Sequence, residues 1–531
     1  MNKDRVFLYD STLRDGSQAR GVDFSIRDKQ IIAQKLDDFG IDYIEGGWPG
    51  ANPTDDQFFE SPPALKQGTL TAFGMTRRAQ SSAANDPGLA GLLNAHAGSI
   101  CLVGKSWDFQ VETALQITRE ENLAMIADSV KLLKSRTREA LFDAEHFFDG
   151  YKANPDYALD VLRAAQDNGA DWLVLCDTNG GTLPHEVADI VHHVTQALPA
   201  ANLGIHCHND TENAVANSLA AVQAGVRQIQ GTINGIGERC GNANLIAIIP
   251  SLMLKMGYET GVTQEKLAEL TALSRFLDER LNRAPNAHAA YVGSAAFAHK
   301  GGLHVSAMAR DSRTYEHIAP QKVGNERLIL VSDKAGRSNL ISRLRQMGLE
   351  REAEHPELDK LIKEIKQREM QGYAYDGADA SFYLLARRML SHLPQYFDID
   401  SFRTMDERRH NARGERVNVS EATMKLLMAG ERVLTVAEGN GPVNALDGAL
   451  RLALEKYYPQ VREITLIDYK VRILTPQEAT KAVTRVMIES RDKDGNSWST
   501  VGVSANVITA SFNALYDAIT YFLVTRDIQP Q

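Results

Sequence analysis

Eight short runs of β-favouring residues, most of them followed by a helical stretch, fill the first part of the chain up to about residue 234. No other feature restricts the fold as much. The runs are Val6–Tyr9, Ile41–Glu45, Leu70–Phe73, Ser99–Val103, Ala140–Phe142, Trp172–Cys176, Leu203–His208 and Val226–Ile233. Between them lie amphipathic segments such as Glu121–Lys134, Tyr157–Asn168 and His185–Gln196. The first begins with Ser25 as N-cap, has Asp28 three residues on, and stops at Gly40, a capped helix with a glycine terminator. Eight strand–helix alternations in this length predict a closed (β/α)8 TIM barrel rather than an open doubly wound sheet. The C-terminal ends of the strands carry Arg14 and Asp15, Glu45, Lys105, Glu145, Thr178, His206 and His208, then Glu238 and Asn242. A barrel gathers these ends onto one face, where such barrels hold their chemistry.

The chain continues well past what a barrel needs. Residues 261–396 are helical and charged, and residues 397–420 (DIDSFRTMDERRHNARGERVN) are polar and turn-rich. Residues 421–531 again alternate strand-like and helical text, with strands at Arg432–Glu438, Glu463–Ile473, Ala482–Ser490 and Trp498–Val507. The expected order is therefore an α/β barrel over 1–260, a helical subdomain over 261–396, a linker over 397–420 and an α+β domain over 421–531. A formal net charge of −10 argues against a nucleic-acid surface as the main business. No run approaches the roughly 18 apolar residues of a membrane span, and the N-terminus enters a strand at once, leaving no room for a signal peptide. Cys101, Cys176, Cys207 and Cys240 show no CxxC spacing and lie in or beside strand-like runs. They read as buried free thiols of a cytoplasmic protein.

Four groups of residues point to chemistry. Val6–Gln18 (VFLYDSTLRDGSQ) runs from a strand into a loop holding one cation and two carboxylates. Asp15 there can hold a hard divalent ion while Arg14 binds the carbonyl or carboxylate oxygens of a small acid. An Arg–Asp pair in isolation is also an ordinary surface ion pair. In His206-Cys207-His208 the two imidazoles face the same side of a strand and the thiol the other. With one or two oxygens, from Asp15 and Asn242, this set suits five- or six-coordinate Mg²⁺, Mn²⁺ or Zn²⁺ with open positions, not a closed structural zinc. Glu145, ending the fifth strand, is placed as an acid–base or water-positioning group. Thr178 in CDTNG either shapes a turn or offers its hydroxyl to a substrate carboxylate. The glycine-rich Gly231–Leu245 fails the G-x-G-x-x-G dinucleotide pattern, and His185-Glu186 lacks the second histidine of H-E-x-x-H.

Asp10–Gly16 (DSTLRDG) resembles the signature of the DRE-type TIM-barrel metallolyases, which include 2-isopropylmalate, homocitrate and citramalate synthases and the HMG-CoA lyases. The GxGERxGN element at Gly235–Asn242, GGLH at Gly301–His304, TYE at Thr314–Glu316 and SDKAGRSN at Ser332–Asn339 extend the resemblance to about residue 340. The C-terminal part is similar to the synthases' regulatory domain. The resemblance implies that Asn242 completes the metal site and that His304 and Tyr315 enter from the helical subdomain of the partner in a homodimer. It implies a Claisen-type condensation of acetyl-CoA with a metal-bound 2-keto acid, followed by thioester hydrolysis. Arg14 then stabilises the developing alkoxide, Thr178 holds the carboxylate, and Glu145, His304 and Tyr315 handle protons or the hydrolytic water.

Phe142–Leu159 and AHKGGLHVSAM at Ala298–Met308 look like the citramalate synthases, which use pyruvate. The loop Gly301–Ala307 departs from the S-G-I-H-Q-D-G wording typical of isopropylmalate synthases, leaving isopropylmalate synthesis or a related 2-keto acid transfer as the alternative. A retro-Claisen HMG-CoA lyase needs a reactive cysteine after the barrel, and none follows Cys240. Because citramalate leads toward isoleucine, the resemblance implies isoleucine as feedback effector, with leucine second. The turn Glu438–Pro442 is either a plain turn or a set of N–H groups for the effector's carboxylate.

Overall fold

Eight parallel strands close on themselves: β1 (Phe7–Asp10), β2 (Tyr43–Gly47), β3 (Thr69–Met75), β4 (Ser99–Lys105), β5 (Glu139–Glu145), β6 (Trp172–Asp177), β7 (Leu203–Cys207) and β8 (Gln228–Gly231). The closing seam pairs β1 with β8 (Asp10 opposite Gly231), while β1 also pairs with β2 (Tyr9 opposite Tyr43). This geometry comes from a computed structural model that describes residues 5–281, 283–308, 310–329, 337–410, 413–475, 477 and 481–531. Both faces of the strands are buried, as parallel sheets require. Tyr9, Tyr43, Phe73, Cys101, Leu141 and Trp172, one from each of six strands, pack together inside the barrel. Alternate residues such as Leu8, Ile44, Phe142, Leu173, Ile205 and Ile229 pack outward among the helices. The first compact unit runs to Phe297 and also takes in Ile318–Arg327. The helix Leu270–Arg280 belongs to it, burying Leu270, Leu273 and Leu277.

The helix Ile26–Phe39 shows how local sequence sets the frame. Ser25 accepts from the Asp28 N–H in a full capping box, and Gly40 closes the helix at φ 108°. A side chain at Gly40 would also meet the Gly261 carbonyl at 2.5 Å, so only glycine fits.

The second unit comprises Ala298–His317 and Leu328–Gln531. Its short strands β9 (Ala298–His299) and β10 (Leu328–Ile329) pair in parallel. The segment read from sequence as a glycine- and histidine-rich loop contains a helix, Gly302–Met308, because Val305 and Met308, three residues apart, pack with Ile329. Part of the SDKAGRSN motif, residues 332–336, lies outside the described residues. Residues 397–420, expected as a linker, instead form β11 (Asp398–His410) and the start of β12 (Arg416–Met428), an antiparallel pair continued by β13 (Glu431–Gly439). The polar stretch itself is largely exposed, but its first half pairs with the later part of β12, where Ser420, Ala422, Met424, Leu426 and Met428 are buried in every second position. A second antiparallel sheet follows, β14 (Thr465–Ile473), β15 (Thr484–Arg491) and β16 (Ser497–Ser504). Each three-stranded sheet is followed by a helix, Pro442–Leu454 and Val507–Thr525.

Val507–Thr525 is long and apolar enough to cross a membrane by length and composition, contrary to the sequence reading. Here it lies on β15 and β16 as a core helix. Trp498 Nε1 donates to the Ala518 carbonyl at 3.1 Å, and Asp517 is bound by Arg388 and Ser381, each at 2.8 Å.

Behind β2, Lys29 reaches Asp55 and donates to the Gly46 carbonyl at 2.9 Å, while Asp55 accepts the Trp48 N–H at 2.8 Å. Both charges are buried, so each depends on the other. Asp55→Ala is expected to lower barrel stability by roughly 3–5 kcal/mol, with the double variant Lys29→Met, Asp55→Ala recovering most of it. Scanning calorimetry of the three proteins checks this, and equal melting of the two variants would show that the ammonium finds another partner.

Candidate functional site

The loop after β1 is built on buried hydrogen bonds. Asp10 accepts from the Thr12 N–H at 2.9 Å and the Thr12 hydroxyl at 2.8 Å, and the Ile233 N–H donates to that same hydroxyl at 2.9 Å. Burial pushes the Asp10 carboxyl up to about 7 despite these bonds. So fixed, the loop turns Arg14 toward β2. Glu45 accepts from Tyr9 Oη at 2.7 Å, Ser11 Oγ at 2.5 Å and Arg14 Nε at 2.8 Å. Arg14 Nη1 pairs with Asp15, and the guanidinium lies 3.8 Å over the Phe73 ring. Burial alone would lower the Arg14 pKa, but Asp15 and Glu45 outweigh it and hold the cation charged.

Asp15, His206 and His208 are buried with their ligand atoms within 4.8 Å of one another. Asp15 Oδ2 stands 3.3 Å from His206 Nε2. Burial would raise the Asp15 pKa, yet Arg14 and His206 beside it bring it below the usual carboxylate range. Burial, then His206, lowers His208 to about 4, so its ring is neutral, the form that binds a metal. Asn242 reaches the cluster because the 238–242 loop folds back on the end of β7: the Asn209 N–H donates to the Gly241 carbonyl at 2.8 Å, and His208 bridges Asn242. Asn242 Nδ2 lies 3.1 Å from both Asp15 Oδ2 and His206 Nε2, while its buried Oδ1 has no partner. A Cβ on Gly237 would fall 2.0 Å from that oxygen, which accounts for the glycine. Three charged or neutral ligands and an unpartnered amide oxygen that a half-turn brings forward fit a divalent cation.

Across the barrel mouth, Glu145 ends β5 and pairs with Lys105 at 2.5 Å. His146 follows in a left-handed conformation, φ 59°, and its N–H donates to Thr178 Oγ1 at 2.8 Å. With a lone pair so engaged, the Thr178 hydroxyl keeps its hydrogen to donate into the cavity. That cavity, about 280 Å³, is lined on its polar side by Arg14, Asp15, Lys105, Glu145, Thr178, His206, His208 and Glu238, and elsewhere by Phe73, Met75, Val103 and Cys176.

The structure thus brings together Arg14, Asp15, Glu145, Thr178, His206, His208 and Asn242. His304 and Tyr315 stand in the second unit, both exposed, with their rings stacked 4.1 Å apart. Cys101, Cys176 and Cys207 are buried thiols as expected, but Cys240 is exposed because it sits in the Glu238–Asn242 turn rather than beside a strand. Sequence reasoning missed the partners behind the site: Glu45 as the clamp on Arg14, Arg239 donating to His208 Nδ1 at 2.8 Å, and Gln230 and Asp143 below His206. Asp143 did carry a signal, being a lone charge inside the apolar run Ala140–Ala144 of β5.

Residues 5–274 match the HMGL-like family, 291–372 the homocitrate synthase post-HMGL domain-like family, and 376–523 the LeuA allosteric (dimerisation) domain. An (R)-citramalate synthase of Aquifex aeolicus is 53% identical over 98% of both chains. One from Geobacter sulfurreducens is 51% identical over 98% of this chain and 97% of its own. A probable 2-isopropylmalate synthase of Methanopyrus kandleri is 30% identical over 96% and 97%.

Mn²⁺ at a hundred times its dissociation constant is expected to stabilise the protein by about 2.7 kcal/mol, read as a raised melting temperature. Asp15→Ala should erase the shift. An undiminished shift in that variant would place the ion elsewhere.

Proposed function

The chain belongs to the HMGL-like family and, within it, to the (R)-citramalate synthases, and we propose that the mouth of its barrel carries out their reaction. It condenses acetyl-CoA with pyruvate and hydrolyses the thioester, giving (R)-citramalate and CoA. Near full-length identity above 50% to two such synthases carries this reading, against 30% to the isopropylmalate relative.

The residues divide the work by chemistry. A divalent ion held by Asp15, His206 and His208, with Asn242 beside them, would supply a Lewis acid for the keto carbonyl. Two of the three Arg14 nitrogens are engaged by Glu45 and Asp15, which pre-orients the guanidinium to stabilise the oxygen that gains charge as the carbon–carbon bond forms. The Thr178 hydroxyl anchors the keto acid's carboxylate. Glu145, neutralised by Lys105, is the group placed to move a proton at the acetyl methyl or at the hydrolytic water. The proposal gives His304 and Tyr315 a share in that proton and water handling. It further takes the working form to be a cytoplasmic homodimer in isoleucine biosynthesis, with the metal Mg²⁺, Mn²⁺ or Zn²⁺.

Free CoA release measured with pyruvate, 2-ketobutyrate, 2-ketoisovalerate and 2-ketoglutarate tests the assignment. Each added methylene typically changes discrimination by ~1–3 kcal/mol, so pyruvate should exceed 2-ketoisovalerate by about two decades or more in kcat/KM. Equal values would return the chain to the isopropylmalate alternative.

The proposal also includes isoleucine as effector of the C-terminal domain. At the Glu438–Pro442 turn, one N–H is already used: Asn440 donates to Asn444 Oδ1 at 3.1 Å. An effector carboxylate there would compete for it. Isothermal titration of the full chain should show isoleucine binding more tightly than leucine, with Asn444→Ala altering the affinity. Unchanged binding in that variant would put the effector away from this turn.

A further inference from the structure

His206 can serve as a ligand through Nε2 only if its proton rests on Nδ1, and a free imidazole does not hold that tautomer by itself. Two buried residues settle the matter here. Gln230 lies beside His206 in the register of β7 and β8, and its Oε1 is 2.7 Å from His206 Nδ1. Its other end, Nε2, donates to Asp143 Oδ1 at 3.0 Å. Gln230 is fully buried and Asp143 nearly so. The amide could in principle turn over, but the carbonyl would then face the Asp143 carboxylate, acceptor against acceptor in a dry interior. Asp143 therefore decides which end of Gln230 meets the histidine. The carbonyl end can only accept, so Nδ1 must donate, and the Nε2 lone pair points to the side where Asp15 Oδ2 and Asn242 lie 3.3 and 3.1 Å away.

We propose that Gln230 is a positioning residue that fixes the metal-binding tautomer of His206, with Asp143 fixing Gln230 in turn. A chain from carboxylate through amide to imidazole does what a direct carboxylate–histidine contact does at many metal sites. It differs in delivering no negative charge to the ring, so His206 remains a neutral ligand. Asp143 is on the same strand as Glu145, two residues earlier and on the same face. β5 thus carries both a support for the cation side and the proposed acid–base group.

This inference rests on the metal reading of Asp15, His206 and His208, and the experiment separates the two. Mn²⁺ affinity of the metal-stripped full-length protein is measured by titration calorimetry, with the Mn²⁺ EPR spectrum recorded alongside. Absence of any high-affinity site in the wild type would remove the metal reading itself. Given a wild-type site, Gln230→Met should weaken Mn²⁺ binding ~10–100-fold, while Gln230→Glu, which keeps an acceptor at Nδ1, should stay within about threefold. A packing role predicts the reverse order, since methionine matches the shape and a glutamate would set a second carboxylate against Asp143. If Gln230→Met does not fold, Asp143→Leu decides: it removes a buried charge yet frees the amide to turn, and at least a ~3-fold loss of affinity is expected. Wild-type affinity in a folded Gln230→Met or Asp143→Leu protein, or a weaker Gln230→Glu than Gln230→Met, would overturn the proposal.

Discussion

A guanidinium held between two carboxylates at the mouth of the barrel is the interaction on which the rest depends. Arg14 is largely buried, its side chain 13% exposed, and a lone buried cation is among the costliest groups a protein can fold around. Glu45 from β2 and Asp15 from its own loop make it tolerable, and Tyr9 and Ser11 satisfy the remaining acceptor capacity of Glu45. The arrangement has a consequence for charge. Arg14, Asp15 and Glu45 together carry one excess negative charge, and His208 is neutral. A divalent cation turns that into one excess positive charge, which suits an anionic keto acid and a reaction that builds further negative charge on its oxygen.

The barrel divides by height. Low in the interior, Tyr43, Cys101, Leu141 and Trp172 form an apolar plug, on which Phe73 packs while also lining the cavity. Above it the inward positions become polar within one or two residues, with Asp143 after Leu141 and His206 near the end of β7, while on β8 both levels are polar, Gln228 below Gln230. Each of these polar groups, apart from Gln228, finds a protein partner; both amide atoms of Gln228 are without one. The transition from oil to polar network coincides with the C-terminal ends of the strands, and period-two alternation places the same face of each strand inward at both levels.

The barrel was legible because its signal is repeated. Eight strands alternating with capped helices leave few alternatives, and a residue or two of error at any boundary changes nothing. The clustering of Asp15 with His206 and His208 was legible for a different reason: two histidines two residues apart face the same side of one strand. What escaped were interactions that join distant parts of the chain through ordinary residue types. Nothing in the wording around Glu45, Gln230 or Arg239 says that they clamp Arg14, His206 and His208, since their partners are 24 to 31 residues away. The C-terminal half misled in one place. Charged residues in DSFRTMDERRH suggested a linker; Met405 to Arg408 are exposed in succession, and what makes the stretch a strand is its pairing with the alternately buried β12.

Selectivity among 2-keto acids has to come from the less polar part of the site. Every such substrate presents the same carboxylate and keto oxygen, so in the proposed assignment Arg14, Thr178 and the Asp15–His206–His208 cluster would contact what pyruvate and its larger homologues share. Tight binding by these groups cannot tell the substrates apart. Only residues facing the third carbon can, and the cavity's less polar lining, Trp48, Phe73, Met75, Val103 and Cys176, is the surface available. Phe73 is constrained twice over. It supports the Arg14 guanidinium at 3.8 Å and packs edge-on against Trp48 at 5.6 Å. Enlarging the cavity by trimming this ring would therefore disturb the oxyanion donor as well as the methyl pocket, whereas Met75 and Val103 carry no such second duty among the contacts described. A change of substrate that leaves the chemistry intact is thus more accessible through β3's last residue and β4 than through the aromatic at the centre of the wall.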